Sequence, residues 1–247
     1  METYTLPSFP SEYSTIHICL FENVSNSPEI RKRLIQAATT KGDQGEKLRQ
    51  EVDFGFLEAD VLVSKEHLLT AILTTLLYSF PSTSNGPSIP NLESMKISDE
   101  SSNPSSSSSS IENQNNYQSN NHNNNVKPKT RTHNLHSEIL LTLSPNNNIT
   151  ESIKKFGLSD QTKNLIIVKF SNSFISSKQI YQDIINVVKG DLVLNDDMIN
   201  DKIENITDWK KVDKLYKLSE LNPLNTPDII EKKRSAVISA VAIKNVI

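Results

Sequence analysis

The chain is poor in cysteine, glycine and tryptophan, with one, six and one among 247 residues. A single cysteine, Cys19, excludes an intrachain disulfide, and its place on an alternating apolar segment marks a small buried hydrophobe rather than a reactive thiol. No Cys-x-x-Cys pair occurs, and His133 and His136 sit in a polar loop without a third nitrogen or sulfur ligand nearby, so no metal site is expected. The segment Gly42-Asp43-Gln44-Gly45-Glu46-Lys47 lacks the spacing of a phosphate-binding loop and follows no strand. The longest apolar run, Leu68 to Phe80, is too short for a membrane span and contains three threonines. The N-terminus has no basic region followed by an apolar run, as a signal peptide would. Lys and Arg number 26 against 29 Asp and Glu, a net charge of −3, which excludes a general nucleic-acid coat and confines any RNA contact to a local patch. No nucleophile elbow or comparable signature appears. The expectation is a soluble, intracellular, non-catalytic protein with no cofactor, no metal and no membrane partner.

What is present is ordinary core-forming sequence interrupted once. Hydrophobic residues are 36% of the chain, and the shortfall is local: residues 101–125 hold 18 Ser or Asn among 25. Such a segment buries too little apolar area to offset its ordering entropy, so 81–126 reads as a low-complexity disordered insert. Residues 1–80 and 127–247 then form one domain. The fold class expected is α/β, a single domain with a small mixed β-sheet flanked by helices. Ile16 to Val24 alternates and then becomes apolar, as a strand does. Ser27 followed by Pro28 predicts a capped helix with Ile30, Leu34, Ala37 and Ala38 on one stripe. Residues 41–56 read as a polar loop and Asp60 to Val63 as a short strand. Ser64 caps a helix to about Ser79, with Leu68, Ile72 and Leu76 on one row and Leu69, Leu73 and Leu77 on the next. A second apolar strand spans Leu165 to Phe170, and a helix runs from about Ser177 to Val188. Asn195-Asp196-Asp197 reads as a solvated turn. Thr207 caps a helix bearing Trp209, Val212, Leu215 and Tyr216.

Two stretches stand out. From Lys129 to Leu158 the local signals agree with one another. Glu138 to Leu143 is a nearly unbroken apolar run, read as a buried strand that Ser144-Pro145 ends. Asn148 with Glu151 three residues on resembles a capping box, Ile153 and Phe156 supply an apolar face, and Gly157 suits the left-handed stop of a helix. The second stretch begins at Thr226-Pro227-Asp228, a cap, a proline and an acidic first turn. Beyond it Ala236-Val237-Ile238-Ser239-Ala240-Val241-Ala242-Ile243 is apolar almost all round. A surface helix needs one apolar stripe only, so this helix is either buried in its own domain or shared between the core and a partner.

The wording Lys129-Thr130-Arg131, Ser137-Glu138-Ile139-Leu140, Leu143-Ser144-Pro145-Asn146-Asn147-Asn148-Ile149 and Lys154-Lys155-Phe156-Gly157 resembles the small kinase-binding subunit of the KEOPS (EKC) complex, the PRPK-binding protein family. Leu20-Phe21-Glu22-Asn23-Val24 with Glu29-Ile30-Arg31, His67-Leu68-Leu69-Thr70-Ala71-Ile72, Lys189-Gly190 and Leu215-Tyr216-Lys217-Leu218-Ser219 are similar in the same order. Thr132-His133-Asn134 makes the loop after Arg131 longer than the family pattern. The resemblance implies a non-catalytic subunit that binds and regulates the complex's atypical small kinase/ATPase and, through it, meets the other subunits. It also implies help in recruiting tRNA for threonylcarbamoyl-adenosine modification, links to telomere maintenance and transcription, and a place in nucleus and cytoplasm. It puts kinase binding on the C-terminal helix, at Val237, Ile238, Val241 and Ala242. RNA contact falls on Asn146, Asn147 and Asn148, where a loop meets a helix N-terminus, with Lys129 and Arg131 on the other side of the strand–loop unit and Lys154 and Lys155 one or two turns along the helix. The residues alone favour helix-capping asparagines and solvated lysines; it is the resemblance that raises RNA contact to an equal reading. The alternative function is a free-standing RNA-binding module without a kinase.

Overall fold

The computed structural model describes residues 1–81, 126–193, 196–224 and 227–245. Most of the insert 81–126 therefore lies outside the described residues, as does Thr226. Residues 1–80 and 128–247 group as one compact unit.

The centre is a small sheet. β1 (Glu2–Thr5), β2 (Thr15–Glu22), β3 (Gly55–Glu58) and β4 (Leu165–Ser171) lie in the order β1-β2-β4-β3, and β5 (Asp191–Leu192) pairs with the far end of β2. Every described pairing is antiparallel, with Ile18 opposite Val168 and Leu57 opposite Ile166. Alternation along the strands makes two apolar faces. Ile16, Ile18, Leu20, Leu57, Ile166, Val168 and Phe170 face one core, closed by α3 (Lys65–Ser79), α4 (Leu135–Leu143), α5 (Ile149–Phe156), α7 (Asp196–Ile206) and α9 (Ile229–Ile243). Cys19, Phe21, Phe56, Leu165 and Ile167 face the other, closed by α1 (Ser27–Thr39), α2 (Gly42–Glu51) and α6 (Ser177–Ile185). The architecture is thus helices on both sides of a small sheet, as expected of the α/β class. Cys19 lies fully within the second core.

Several elements differ from the sequence reading, each for a local reason. Glu138–Leu143 is not a strand; it is most of α4. Asn134 caps that helix by accepting from the Ser137 N–H at 2.8 Å, and its residues are buried against both the sheet and α3, so its apolar run shows no helical stripe. The polar stretch 41–56 contains α2 and the start of β3, and Asp60–Val63 is a 3-10 turn with its exit rather than a strand. Ser27 does not cap α1. It is the first helical residue, and its hydroxyl donates to the Thr162 carbonyl at 2.6 Å. Asp208, not Thr207, caps α8 (Trp209–Tyr216), while the Thr207 hydroxyl donates to the carbonyls of Leu62 and Ile203. Asp196 and Asp197 open α7 instead of forming a turn. Gly157 has φ −91°, not a left-handed conformation; glycine is needed there because a Cβ would come within 2.5 Å of the Ile153 carbonyl oxygen. Phe156 is buried, but Ile153 is exposed. The Ser64 cap, the span of α3 and the β4 strand agree with the reading.

Candidate functional site

Two regions of the sheet's first side hold the residues singled out above. The first is the loop system around α4. The chain enters along the end of α3, where the Lys129 N–H donates to the Ser79 carbonyl at 2.9 Å. Arg131, still half-exposed, then folds back onto Glu138. Its Nε lies 3.1 Å from Glu138 Oε1, while the N–H groups of Arg131 and Thr132 and the Thr132 hydroxyl all donate to Glu138 Oε2. A buried carboxylate with that many donors is fully compensated. The longer loop Thr132-His133-Asn134 therefore serves the fold, since Thr132 satisfies Glu138 and Asn134 caps α4. A cavity of about 280 Å³ opens beside it, lined by Thr75, Tyr78, Lys129, Arg131, Glu138 and Asn245 among others.

The asparagine loop follows α4. Asn146 Oδ1 accepts the Asn148 N–H at 3.0 Å, and Asn148 Oδ1 accepts the Glu151 N–H at 3.0 Å, so two of the three amides shape the loop and cap α5. Asn147 is exposed, with no side-chain hydrogen bond among the described residues. On α5, Lys155 pairs with Glu151 at 3.3 Å, whereas Lys154 is exposed and has no ion-pair partner among the described residues. Of the seven RNA-candidate residues, Lys129, Asn147 and Lys154 have no side-chain partner among the described residues, Lys155 and Arg131 each pair with a carboxylate while staying half-exposed, and Asn146 and Asn148 accept from the backbone.

Sequence reasoning missed what holds this loop. Leu141 lies four residues before Pro145, which has no N–H, so the Leu141 carbonyl has no helical donor. Lys244 supplies it: its ammonium donates to the carbonyl oxygens of Leu141, Ser144 (2.6 Å) and Asn146 (2.9 Å). The neighbouring Asn245 Oδ1 accepts from Arg131 Nη2 at 3.3 Å. Tyr216 closes the same helix end by donating to the Leu143 carbonyl at 2.5 Å, and its oxygen lies 3.0 Å from His67 Nε2. Full burial pushes the His67 imidazole down to about 3, and burial raises the Tyr216 phenol, so both are neutral near pH 7. Burial, with Arg131 alongside, lowers Lys244 to about 8, while Glu138 acts in the opposite sense. Proline at 145 was the one signal in the sequence that an outside donor was required.

The second region is α9. It runs beside α3 in the same direction: Arg234, near its start, donates to the Val63 carbonyl just before α3, and Asn245, past its end, shares the cavity with Thr75 and Tyr78 near the end of α3. Its inner row is Lys233, Val237 and Val241. Lys233 is buried on Asp213 of α8 at 2.6 Å, and the two valines are buried in the core. Val237 and Val241 therefore offer no surface to a partner on this chain. Ile238 is half-buried and Ala242 exposed, with Ile243 48% exposed next to it. On α3, Leu68, Ile72 and Leu76 are buried, but Leu73 and Leu77 of the second row are 39% and 60% exposed.

His136 is not in a loop. It lies in the first turn of α4, stacked on Phe170, with Nδ1 3.2 Å from Asp53. Burial acts to raise the Asp53 carboxyl, but His136 and Lys169 outweigh it and hold it well below the ordinary carboxylate range. His133 is exposed, and no group of three metal-ligating side chains occurs among the described residues.

A family described as kinase binding protein CGI-121 matches residues 21–245. The chain is 55% identical over 247 residues to the EKC/KEOPS complex subunit CGI121 of Cryptococcus neoformans var. neoformans, covering all of both chains. It is 31% identical over 241 residues to the protein of the same name in Candida albicans, covering 93% of this chain and 91% of that one.

Proposed function

Because this chain belongs to the CGI-121 kinase binding protein family, we propose that it is a non-catalytic subunit of an EKC/KEOPS complex that binds and regulates the complex's small kinase/ATPase. The observation that carries this reading is the apolar surface left on two adjoining helices. Leu73 and Leu77 on α3, with Ile238, Ala242 and Ile243 on α9, show apolar surface although the core beneath them is complete. A partner that covers such a surface gains about 25 cal/mol per Å² of apolar area removed from water. The docking residues are then Ile238 and Ala242, with Val237 and Val241 supporting them from inside. Ile238→Arg and Ala242→Arg should abolish co-purification of the kinase while the variants melt within a few degrees of the parent chain. Retained kinase binding in both would remove α9 as the docking helix.

The same subunit assists tRNA recruitment for threonylcarbamoyl-adenosine modification, through Lys129, Asn147 and Lys154 with the loop that presents them. Support comes from their exposure: Lys129 lines the cavity, Asn147 lies just before the N-terminus of α5, and Lys154 lies in the last turn of α5. Lys154→Glu with Lys155→Glu should weaken tRNA binding and flatten its dependence on salt, by a slope of about 1 for each phosphate no longer neutralised. An unchanged salt slope would exclude α5 from the RNA contact. Roles in telomere maintenance and transcription, in nucleus and cytoplasm, follow from the complex. Isolation of the native protein with RNA and no kinase would favour the free-standing RNA module instead.

A further inference from the structure

The two residues that follow the last turn of α9 touch both halves of the loop system. Lys244 spends its ammonium on three carbonyls spanning the end of α4 and the asparagine loop, and Asn245 accepts from Arg131 on the loop that precedes α4. Arg131 in turn binds Glu138, so the 129–132 loop, the asparagine loop and α9 meet at one point. Within the described residues the asparagine loop has no other side chain from a distant element bonded to it. Its remaining hydrogen bonds are short-range, among Ser144, Asn146, Asn148, Glu151 and Ser152. We propose that Lys244 and Asn245 are positioning residues that latch the asparagine loop to the docking helix, so that kinase bound on α9 and tRNA bound at the loop favour each other.

The physical reason is fraying. The final carbonyls of a helix lack internal donors, and the closing turn is the first to open. In α9 that turn is followed by Lys244, whose N–H reaches Val241 only at 3.4 Å. When it opens, Lys244 leaves, and the Leu141 carbonyl loses a donor that Pro145 cannot replace. A protein seated on Ala242 and Ile243 holds the turn closed and therefore holds the loop in the conformation shown. Binding of RNA to that conformation has the reciprocal effect. Arg131 and Glu138 are the charged groups that face Lys244, and loss of its proton as pH rises through about 8 removes one of its three donors.

This inference rests on the kinase and tRNA sites proposed above, and the experiment separates the three. The affinity of an unmodified tRNA transcript is measured for the full chain alone and for its complex with the kinase, in the parent and in Lys244→Met, Lys244→Arg and Asn245→Ala. Kinase should tighten tRNA binding to the parent by about fivefold or more, within the usual range of site-to-site coupling. Lys244→Met should bring that factor close to one, Asn245→Ala should reduce it, and Lys244→Arg, which keeps both charge and donors, should retain it. Raising pH from 7 to 9 should erode the factor in the parent and leave it in Lys244→Arg. A Lys244→Met chain that melts like the parent and keeps the full factor overturns the latch. Loss of tRNA binding in the Lys154→Glu, Lys155→Glu chain, alongside an intact factor in Lys244→Met, shows that the RNA site is right and the latch wrong.

Discussion

Helices α4 and α9 have similar wording and opposite fates. Each carries a run of apolar residues with almost no polar face, yet all of α4 except Ser137 is buried, whereas α9 buries Lys233, Val237 and Val241 alone. The difference lies in their neighbours. α4 sits between the sheet and α3 with α5 at its end, and buries even Glu138 and Thr142, each satisfied by a partner: Arg131 for the carboxylate, Thr75 for the hydroxyl at 2.9 Å. α9 lies at the rim of the same layer, with α3 and α8 beneath it and nothing described above it. An apolar run thus marks area that needs covering, not which molecule covers it.

That contrast is open to attack at several strengths. The greatest effect is expected where a charge enters the core: Val241→Arg should cost more than about 4 kcal/mol and unfold the chain in a thermal or urea melt, because the inner row has no route to solvent. Ile139→Ala in α4 should cost about 2–5 kcal/mol by urea denaturation, from lost burial and the cavity left behind. An acid titration probes the helix between them. His67 on α3 has its pKa lowered to about 3, so the stability it contributes is present above about pH 6.5 and is lost as pH falls from there towards 3. Unfolding free energy should drop by at most about 1.4 kcal/mol per pH unit from this group, and His67→Gln should remove that slope. The two helix starts should also differ. Asn134→Ala removes a cap hydrogen bond and should cost about 1 kcal/mol, whereas Asp228 at the start of α9 pairs with Lys232 at 3.1 Å on a half-exposed surface instead of capping, so its replacement by Ala should cost about half as much. The smallest change in stability, within about 0.5 kcal/mol, is expected for Ile238→Arg on the half-exposed row. A large destabilisation there would mean that α9 is internal on both sides.

The sequence reading was most successful where one residue decides locally. Ser64 and Asn148 cap by their own side chains, Pro145 ends an element whatever its type, and β2 and β4 read as strand-length apolar segments because each has a core on both faces. It failed where burial erases periodicity. The Glu138–Leu143 run lost its helical stripe because α4 is covered on all sides, and the 41–56 stretch gave no strong stripe because α2 exposes most of its length. Among site residues, Lys129, Asn147 and Lys154 were legible as exposed polar groups, whereas Val237, Ile238, Val241 and Ala242 were not separable into inner and outer rows. The burial of Val237 and Val241 was not legible, since it depends on groups distant in sequence such as Val63 and Val212 beside Val237, and neither was the pairing of Arg131 with Glu138, which needs the loop to fold back onto α4.

The sequence by itself determined the family, the core composition, the caps and breaks, and the surplus of apolar surface near the C-terminus, since these depend on residue type and short spacing. The tertiary structure alone decided which side of α9 remains outside, which carboxylate consumes Arg131, and that Lys244 replaces the donor Pro145 lacks. Those outcomes depend on hydrogen bonds and packing between residues as far apart as Leu141 and Lys244, and no local pattern specifies which distant group completes an unsatisfied one.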